Sequence, residues 1–386
     1  MSFRKRNVGL SSGAARDRDS AAAIEQTPKI APAALPGLRP SPVDGRPTTS
    51  TGTETLDDLL AGHAGLPMGT SMLIEENGTT DYAGVLLRYY AAEGIVQGHH
   101  VHVVGMPEVW GRELPGLIEG GRQKEKSVQQ TDDKMKIAWR YERQNHLLAE
   151  RTGRRGSDSP VSKAPGQEAP NSTSQTFCHT FDLTKRLVHP STSTITFHQL
   201  SQNPISSPFA RLLQEIVTKV SSSVPTTVHR IIIPSLLSPA IYPPNASMPE
   251  YVLQFVHGLR GLLSTYPDRI TSMLSFPLSL HPRSTGLTRW AELLQDGVIE
   301  LTPFPHSMGV DVPETKPGQD EQPQGLLTVH RLPILHERGG GSGAVSEECE
   351  FTLSRKRFNI RPFSLPPMEG DTEAQQEKTK KADLEF

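Results

Sequence analysis

Short strand-like runs alternate with amphipathic helical patterns along much of this chain. Residues 231–233 are three consecutive isoleucines, a β-branched run typical of a strand that is covered on both faces of a sheet. The stretches 209–220 and 249–263 instead carry apolar residues three and four positions apart, which is the spacing of one helix face. Strands that are separated by helices join through right-handed crossovers and pair in parallel. The sequence therefore predicts an α/β fold with a mostly parallel central sheet.

The helical patterns stop after residue 296. Strand-like runs at 298–301, 326–332 and 351–360 then follow one another with only loops between them. Consecutive strands without a crossover helix pair antiparallel. We therefore expect an antiparallel C-terminal extension at the edge of the sheet.

Four segments lack this periodicity and divide the chain. Residues 1–47 mix Pro, Ala, Ser and Arg, and the insertion near 120–175 is highly charged and ends in a low-complexity run. The insertion near 307–324 is rich in Pro, Gly, Asp and Gln, and 367–386 form an acidic, lysine-rich tail. Such segments have too little apolar surface to offset the entropy lost on folding. We therefore predict one folded domain at 48–366, with disordered ends and two disordered insertions. These segments explain why only 35% of the residues are apolar.

Composition excludes several classes of protein. A net charge of −2 gives no global electrostatic case for nucleic-acid binding, although it does not exclude local basic patches. Cys178 and Cys349 have no second thiol or metal-ligand spacing beside them, which argues against a disulfide scaffold and a zinc finger and for a reducing compartment. No run of about 18 apolar residues occurs, and the N-terminal residues have no apolar signal region. We expect neither secretion nor a membrane partner.

The segment after the first core strand stands where a phosphate-binding loop would lie. In a P-loop, the pattern GxxxxGK[ST] supplies main-chain N–H groups, a lysine for the phosphates and a hydroxyl for magnesium. No lysine occurs in this loop, and we expect Asp81 to cap the following helix with its own carboxylate in place of a phosphate. The degenerate loop consists of Glu76, Asn77, Gly78, Thr79, Thr80 and Asp81.

The second nucleotide-binding position is also altered. After the strand at 231–233, where a magnesium-binding aspartate would follow, the chain has Pro234 and then Ser235. Proline offers no ligand to a metal. We therefore predict a nucleotide-type fold whose site has been lost, with no cofactor and no bound metal. An active ATP site is the less favoured alternative.

Two histidines on a predicted strand offer a weaker signal. His100 and His102 are two residues apart and would face the same side of the sheet. They could provide two metal ligands, but no third ligand is evident. We interpret them as partly buried strand histidines.

Several motifs occur in order along the chain. The stretch from 50 to 105, with TSTGTETLDDLLAG and a Leu-Pro-x-Gly turn at 66–69, resembles the opening of RecA-like ATPase domains. The other motifs are KIAWRYE at 136–142, RWAELLQDGVIELTPF at 289–304, GLLTVHRLPILHERGGG at 325–341 and SRKRFNIRPFSLPP at 354–367. Together they span nearly all of the predicted ordered core and resemble the motifs of the PAXNEB family of Elongator subunits.

The resemblance implies a non-catalytic, RecA-like subunit that joins Elongator subunits five and six in a heterohexameric ring. It implies that this ring binds tRNA and acts with the catalytic Elongator subcomplex in modifying wobble uridine (U34) with 5-carboxymethyl-type side chains, in cytoplasm and nucleus. Two alternatives stay open: a nucleotide-hydrolysing RecA-like ATPase, and a purely structural scaffold without RNA contact.

Two basic segments are candidates for contact with tRNA. The segment 279–289 holds His281, Arg283 and Arg289 without an acidic residue, and the corresponding loop of RecA-like rings faces the central pore. A plain loop with a helix N-cap at Ser284 or Thr285 is an equally good interpretation.

The second basic segment is a strand-like stretch that contains Arg355 and Arg357. These side chains could bind RNA phosphates, contact a neighbouring subunit, or keep an edge strand soluble.

Overall fold

The computed structural model describes residues 35–60, 62–118, 176–305, 323–333 and 348–363. Most of the segments for which we predict disorder lie outside these ranges, so their disorder stays a prediction. The helices are α1 (Glu54–Leu59), α2 (Tyr82–Val96), α3 (Val109–Arg112), α4 (Ala210–Ser222), α5 (Pro249–Thr265) and α6 (Gly286–Leu293), with a 3-10 turn at Pro244–Ser247. The strands are β1 (Leu38–Pro40), β2 (Pro47–Thr49), β3 (Leu66–Pro67), β4 (Ser71–Glu76), β5 (His100–Val104), β6 (Pro115–Leu117), β7 (Phe181–Arg186), β8 (Thr194–His198), β9 (His229–Ile233), β10 (Ile270–Pro277), β11 (Gly297–Pro303), β12 (Gly325–Arg331), β13 (Cys349–Leu353) and β14 (Phe358–Pro362).

The main sheet of the described residues has nine strands, in the order β14-β13-β12-β11-β4-β10-β9-β5-β8. All neighbours from β11 to β8 are parallel, and β12, β13 and β14 extend the sheet antiparallel beyond β11. The predicted α/β class, with a mostly parallel sheet and an antiparallel C-terminal extension, is confirmed. Because parallel strands point the same way, the loops after β4, β9, β10 and β11 meet at one edge, here called the carboxyl edge.

The predicted single strand at 351–360 is wrong. β13 and β14 form a hairpin in which the main-chain N–H of Ser354 donates to the carbonyl of Arg357 at 2.8 Å. Apolar residues on both sides of a tight turn give one continuous strand-like pattern in the sequence, and only the pairing of the two halves separates them.

Helices cover both faces of the main sheet. Ile232 packs in the cluster that contains α2, whereas Ile231 and Ile233 pack in the cluster that contains α4 and α5. Successive side chains of a strand point to opposite faces, so a strand between two helical layers can carry consecutive apolar residues, as at 231–233. None of the described helices combines the length and apolar character needed to cross a membrane.

The folded part of the chain begins earlier than predicted. β1 pairs antiparallel with β2, so the expectation of disorder throughout 1–47 is wrong for residues 35–47. Thr49 Oγ1 donates to the carbonyl of Gly37 at 3.2 Å, and His99 Nε2 donates to the carbonyl of Pro36 at 2.9 Å. Because main-chain oxygens provide this anchorage, the segment carries no apolar periodicity that a sequence pattern could detect.

Candidate functional site

Acidic side chains gather at the carboxyl edge, on the central strands of the sheet. Glu75 and Glu76 end β4, and Glu75 pairs in register with Glu300 of β11. Ligands of parallel α/β sheets bind at this edge, where strands end and helices begin. It is therefore the natural place for a functional site in this fold.

Glu76 occupies the anion position at the start of α2. Its Oε1 accepts a hydrogen bond from the main-chain N–H of Tyr82 at 3.0 Å, and Oε2 accepts from that of Ala83 at 2.9 Å. Thr80 Oγ1 also donates to Oε1, at 2.7 Å. Helix N-terminal N–H groups of this kind bind phosphates in nucleotide sites. Burial raises the pKa of Glu76, although these three hydrogen bonds act in the opposite direction.

The expectation that Asp81 caps α2 with its side chain is wrong. Asp81 stands at the N-cap position, but its side chain makes no capping hydrogen bond to the main-chain N–H groups of the helix. Its Oδ2 instead accepts from Arg88 Nη1 at 3.1 Å on the surface. Glu76 is six residues before Tyr82 in sequence, but the turn between β4 and α2 places its side chain beside the N–H groups. That side chain is one methylene longer than the side chain of Asp81.

The loop between these elements is exposed from Asn77 to Asp81. The N–H of Asn77 donates to the carbonyl of Leu301 at 3.0 Å, and Gly78 has a φ of 100°, which glycine adopts readily. Ser279 Oγ donates to the carbonyl of Gly78 at 3.1 Å. Thr79 is exposed as well. The loop is thus tied to β11 and to the segment that follows β10.

The main chain after β9 is held by side chains of β10 and of the segment that follows. The N–H of Ser235 donates to Ser275 Oγ at 2.7 Å, and Tyr242 donates to the carbonyl of Pro234 at 3.2 Å. Ser235 has a φ of 41°, a left-handed conformation that is uncommon for a residue other than glycine. Pro234, where a magnesium-binding carboxylate would be expected, is buried.

Arg283 lies among three carboxylates at the same edge. Its Nε and Nη2 donate to Glu292 Oε1 and Oε2 at 2.7 and 3.2 Å. Nε is 3.4 Å from Glu75 Oε2, and Nη1 is 3.6 Å from Glu300 Oε2. Although 279–289 contains no acid of its own, the fold thus brings carboxylates from β4, β11 and α6 to this arginine, and most of its charge is compensated.

His330 of β12 completes the group, which we call the Glu75 cluster: Glu75, Arg283, Glu292, Glu300 and His330. His330 Nε2 is 2.8 Å from Glu300 Oε2. This hydrogen bond and the nearby charges lower the pKa of Glu300, whereas burial, followed by the charge of Glu292, raises the pKa of Glu75 to about 8. Two neighbouring carboxyl groups thus differ in their affinity for a proton.

The other predicted tRNA contacts are more accessible. Arg289 is largely exposed, with Nη1 3.5 Å from Glu292 Oε2. His281 is half-buried, and its ring lies 5.3 Å from that of Phe276. Arg355 and Arg357 are exposed on the β13–β14 turn. Since the registers of β12 and β13 bring this turn to the carboxyl edge, both basic segments lie at the same end of the sheet.

The strand histidines form a buried hydrogen-bonded row. His102 Nδ1 is 3.1 Å from His198 Nε2, and His102 Nε2 is 3.0 Å from His229 Nδ1. His100 is only partly buried. Both ring nitrogens of His102 have imidazole partners. The row therefore links side chains of three neighbouring strands, β8, β5 and β9.

Comparison with known proteins agrees with the motifs. The family model described as PAXNEB protein matches residues 31–386. The chain belongs to the PAXNEB family. Elongator complex protein 4 of Schizosaccharomyces pombe is 33% identical over 89% of this chain and 92% of its own length, and that of Saccharomyces cerevisiae is 30% identical over 97% and 86%. Human Elongator complex protein 4 is 29% identical over 89% and 82%.

A solved structure is also similar to this PAXNEB chain. It is that of a KaiC-like protein from Pyrococcus horikoshii, with 13% identity and a TM-score of 0.40 over 82% of this chain and 99% of the other.

Two features of this PAXNEB member were not predicted from its sequence: the Glu76 contact with α2 and the meeting of Glu75 with Glu300 and His330. Two adjacent carboxylates at the end of a buried strand were the available signal, since such residues are rarely buried without partners. Their partners lie up to 255 residues away, where no local pattern reaches.

Proposed function

We propose that this chain is a non-catalytic subunit of an Elongator complex. The observation that carries the proposal is family membership over 31–386, with relatives named Elongator complex protein 4 along most of their length. In the proposed assembly the chain joins Elongator subunits five and six in a heterohexameric ring. The ring binds tRNA and acts with the catalytic subcomplex in wobble uridine (U34) modification, in cytoplasm and nucleus.

The geometry of the carboxyl edge supports a non-catalytic role. A nucleotide phosphate at α2 would have to displace the Glu76 carboxylate, and the loop offers no lysine to compensate the charge of a triphosphate. The residue after β9 is Pro234, which carries no metal ligand. Any ATP hydrolysis by the assembled ring would then depend on another subunit.

Calorimetry with ATP and magnesium tests this part of the proposal. We expect the purified chain to show no binding in the micromolar range. Micromolar binding that is abolished by Gly78→Arg would instead support the alternative, a nucleotide-hydrolysing ATPase.

The exposed arginines of the carboxyl edge support contact with tRNA. Arg289, Arg355 and Arg357 present charge at one end of the sheet, where phosphates of any RNA sequence could bind. Arg283 and His281 lie at the same edge, but the charge of Arg283 is largely compensated by Glu292. The exposed Trp290 and Leu293 of α6 are apolar side chains suited to burial against a neighbouring subunit.

Filter binding of tRNA to the ring reconstituted with subunits five and six tests the assembly and its RNA contact. The triple variant Arg289→Ala, Arg355→Ala, Arg357→Ala should weaken binding and flatten its salt dependence by about one unit of slope for each phosphate that the ring no longer binds. Arg46→Ala is the matched control, because this exposed arginine lies near Gly69, at the opposite end of β4.

The mass of each ring is measured first, so that assembly and RNA binding are scored separately. An intact triple-variant ring that binds tRNA like wild type at every salt concentration would favour the scaffold without RNA contact. Failure of the chain to assemble with the two subunits would contradict the proposal as a whole.

A further inference from the structure

Three potential ligands converge at the carboxyl edge from three neighbouring strands. Glu75 of β4 and Glu300 of β11 occupy paired positions, and His330 lies on the adjacent β12. One ligand atom from each residue lies within 4.8 Å of the other two. Strands of one sheet hold such a group with little freedom, which favours a defined binding geometry.

His330 reaches this point from a β-bulge. The register of β11 against β12 shifts between Val298 and Ile299, which pair with Arg331 and Val329. His330 is therefore the extra residue of β12. Bulges re-aim side chains and occur near functional sites, and this one is where the imidazole turns towards Glu300.

Glu75 has few partners for a completely buried carboxyl group. Neither of its oxygens accepts a hydrogen bond of normal geometry from a described residue. Its ion pair with Arg283, at 3.4 Å, is shared, because that guanidinium is held by two shorter hydrogen bonds to Glu292. A buried carboxylate that relies on a shared cation alone is only partly compensated, and a bound metal ion would supply the missing contact.

We propose that Glu75, Glu300 and His330 bind a divalent transition-metal ion, Zn²⁺ or Mn²⁺. Imidazole nitrogen is a good ligand for zinc, and carboxylate oxygen is a good ligand for manganese. Three protein ligands leave at least one coordination position for water. The site is separate from the Glu76 contact with α2, and the proposal does not depend on the function proposed above.

Arg283 is the internal cation with which the metal ion competes. Its Nη1 is 2.8 Å from His330 Nε2 and 3.6 Å from Glu300 Oε2. Because the guanidinium is planar and rigid, Nη1 can leave His330 only if the whole group shifts. Arg283→Gln removes the competing charge, so it should strengthen metal binding. A cluster that is only an ion-pair network would bind no metal in either form.

Metal titration of the full chain, after treatment with a chelator, tests the proposal. The probes are Mn²⁺, followed by electron paramagnetic resonance, and Zn²⁺, in competition with a chromophoric chelator. We expect one ion per chain. Glu300→Gln and His330→Gln should each weaken binding by about tenfold or more, since even outer-shell changes cost that much, and Arg283→Gln should tighten it.

Glu215→Gln is the matched control. Glu215 also contacts a histidine, His198, but that histidine lies on β8, the strand at the opposite edge of the sheet. Its metal affinity should equal that of wild type. Circular dichroism and thermal melting establish that each variant is folded, and His330→Gln decides the matter if Glu300→Gln does not fold. The proposal is wrong if wild type and Arg283→Gln both fail to bind either ion below millimolar concentration. It is equally wrong if Glu300→Gln and His330→Gln each bind the ion as tightly as wild type.

Discussion

At the level of single residues, Glu76 is the acceptor for the first N–H groups of α2. It accepts hydrogen bonds from two N–H groups that α2 cannot pair internally and from Thr80. An anion of the protein thus stands where a nucleotide fold receives one from its ligand, and it stabilises α2 without any ligand.

Replacing Glu76 by Ala should therefore lower the free energy of unfolding by about 1–3 kcal/mol at pH 7, because two helix N–H groups lose their acceptor. Glu76→Gln keeps one oxygen acceptor and should cost less. Urea unfolding measures both. Asp81→Ala is the control and should change stability by less than about 0.5 kcal/mol, since the side chain of Asp81 forms a solvent-exposed pair with Arg88. An equal loss of unfolding free energy for Asp81→Ala would indicate that Asp81 also caps α2.

At the scale of elements, the histidine row joins three strands that are distant in sequence. His198 of β8, His102 of β5 and His229 of β9 are hydrogen-bonded in series, and the ends of the row contact Glu215 and Ser223. Burial lowers the pKa of all three histidines, to about 3 for His229. Each ring is therefore neutral in the folded chain at pH values at which it would be protonated after unfolding.

The sign of the pH dependence follows from these shifts. Because the pKa in the folded state lies below the usual 6.5, stability is fully present above pH 6.5 and is lost as the pH falls towards about 3. Each such histidine contributes a slope of up to about 1.4 kcal/mol per pH unit. We expect His102→Gln to flatten the dependence of the unfolding free energy on pH between 6 and 4, measured by urea unfolding. Exposed His257→Gln should leave that slope unchanged, and equal slopes for all three proteins would contradict this account.

At the scale of the whole molecule, the N-terminal boundary of the fold is set by contacts rather than by composition. β1 adds to the small β1-β2-β3 sheet, and Arg230 of β9 ties that sheet to the core by donating to Thr49 Oγ1 at 2.7 Å and to the carbonyl of Ser50 at 2.8 Å. Removal of β1 and the residues before it would therefore expose main-chain groups of β2 and leave His99 without its acceptor.

Two truncations test this boundary. A chain that starts at residue 35 should melt within a few degrees of the full chain, because we expect residues 1–34 to be disordered. A chain that starts at residue 48 lacks β1 and should melt about 2–8 °C lower than the chain that starts at 35, if the hydrogen bonds of β1 contribute about 1–2 kcal/mol. Differential scanning calorimetry measures both. Equal melting temperatures for the two truncations would support the boundary at residue 48 that composition predicts.

Local sequence patterns were enough to predict the order and type of most main elements, the α/β class and the family. Helical and strand periodicities depend on residues that are neighbours in the chain, so patterns such as 231–233 and 249–263 carry that information without tertiary structure. For the same reason the absence of a lysine in 75–82 and the proline at 234 could be seen at once.

Which polar groups meet became known from the tertiary structure. Glu76 rather than Asp81 accepts from the first N–H groups of α2, and three carboxylates compensate Arg283. Residues 351–360 turn back as a hairpin, and His330 faces Glu75. These outcomes depend on strand register and on the direction of the chain after each strand. Register is set by pairing between residues that are often more than 200 positions apart, and a one-residue slip would send each side chain to the other face.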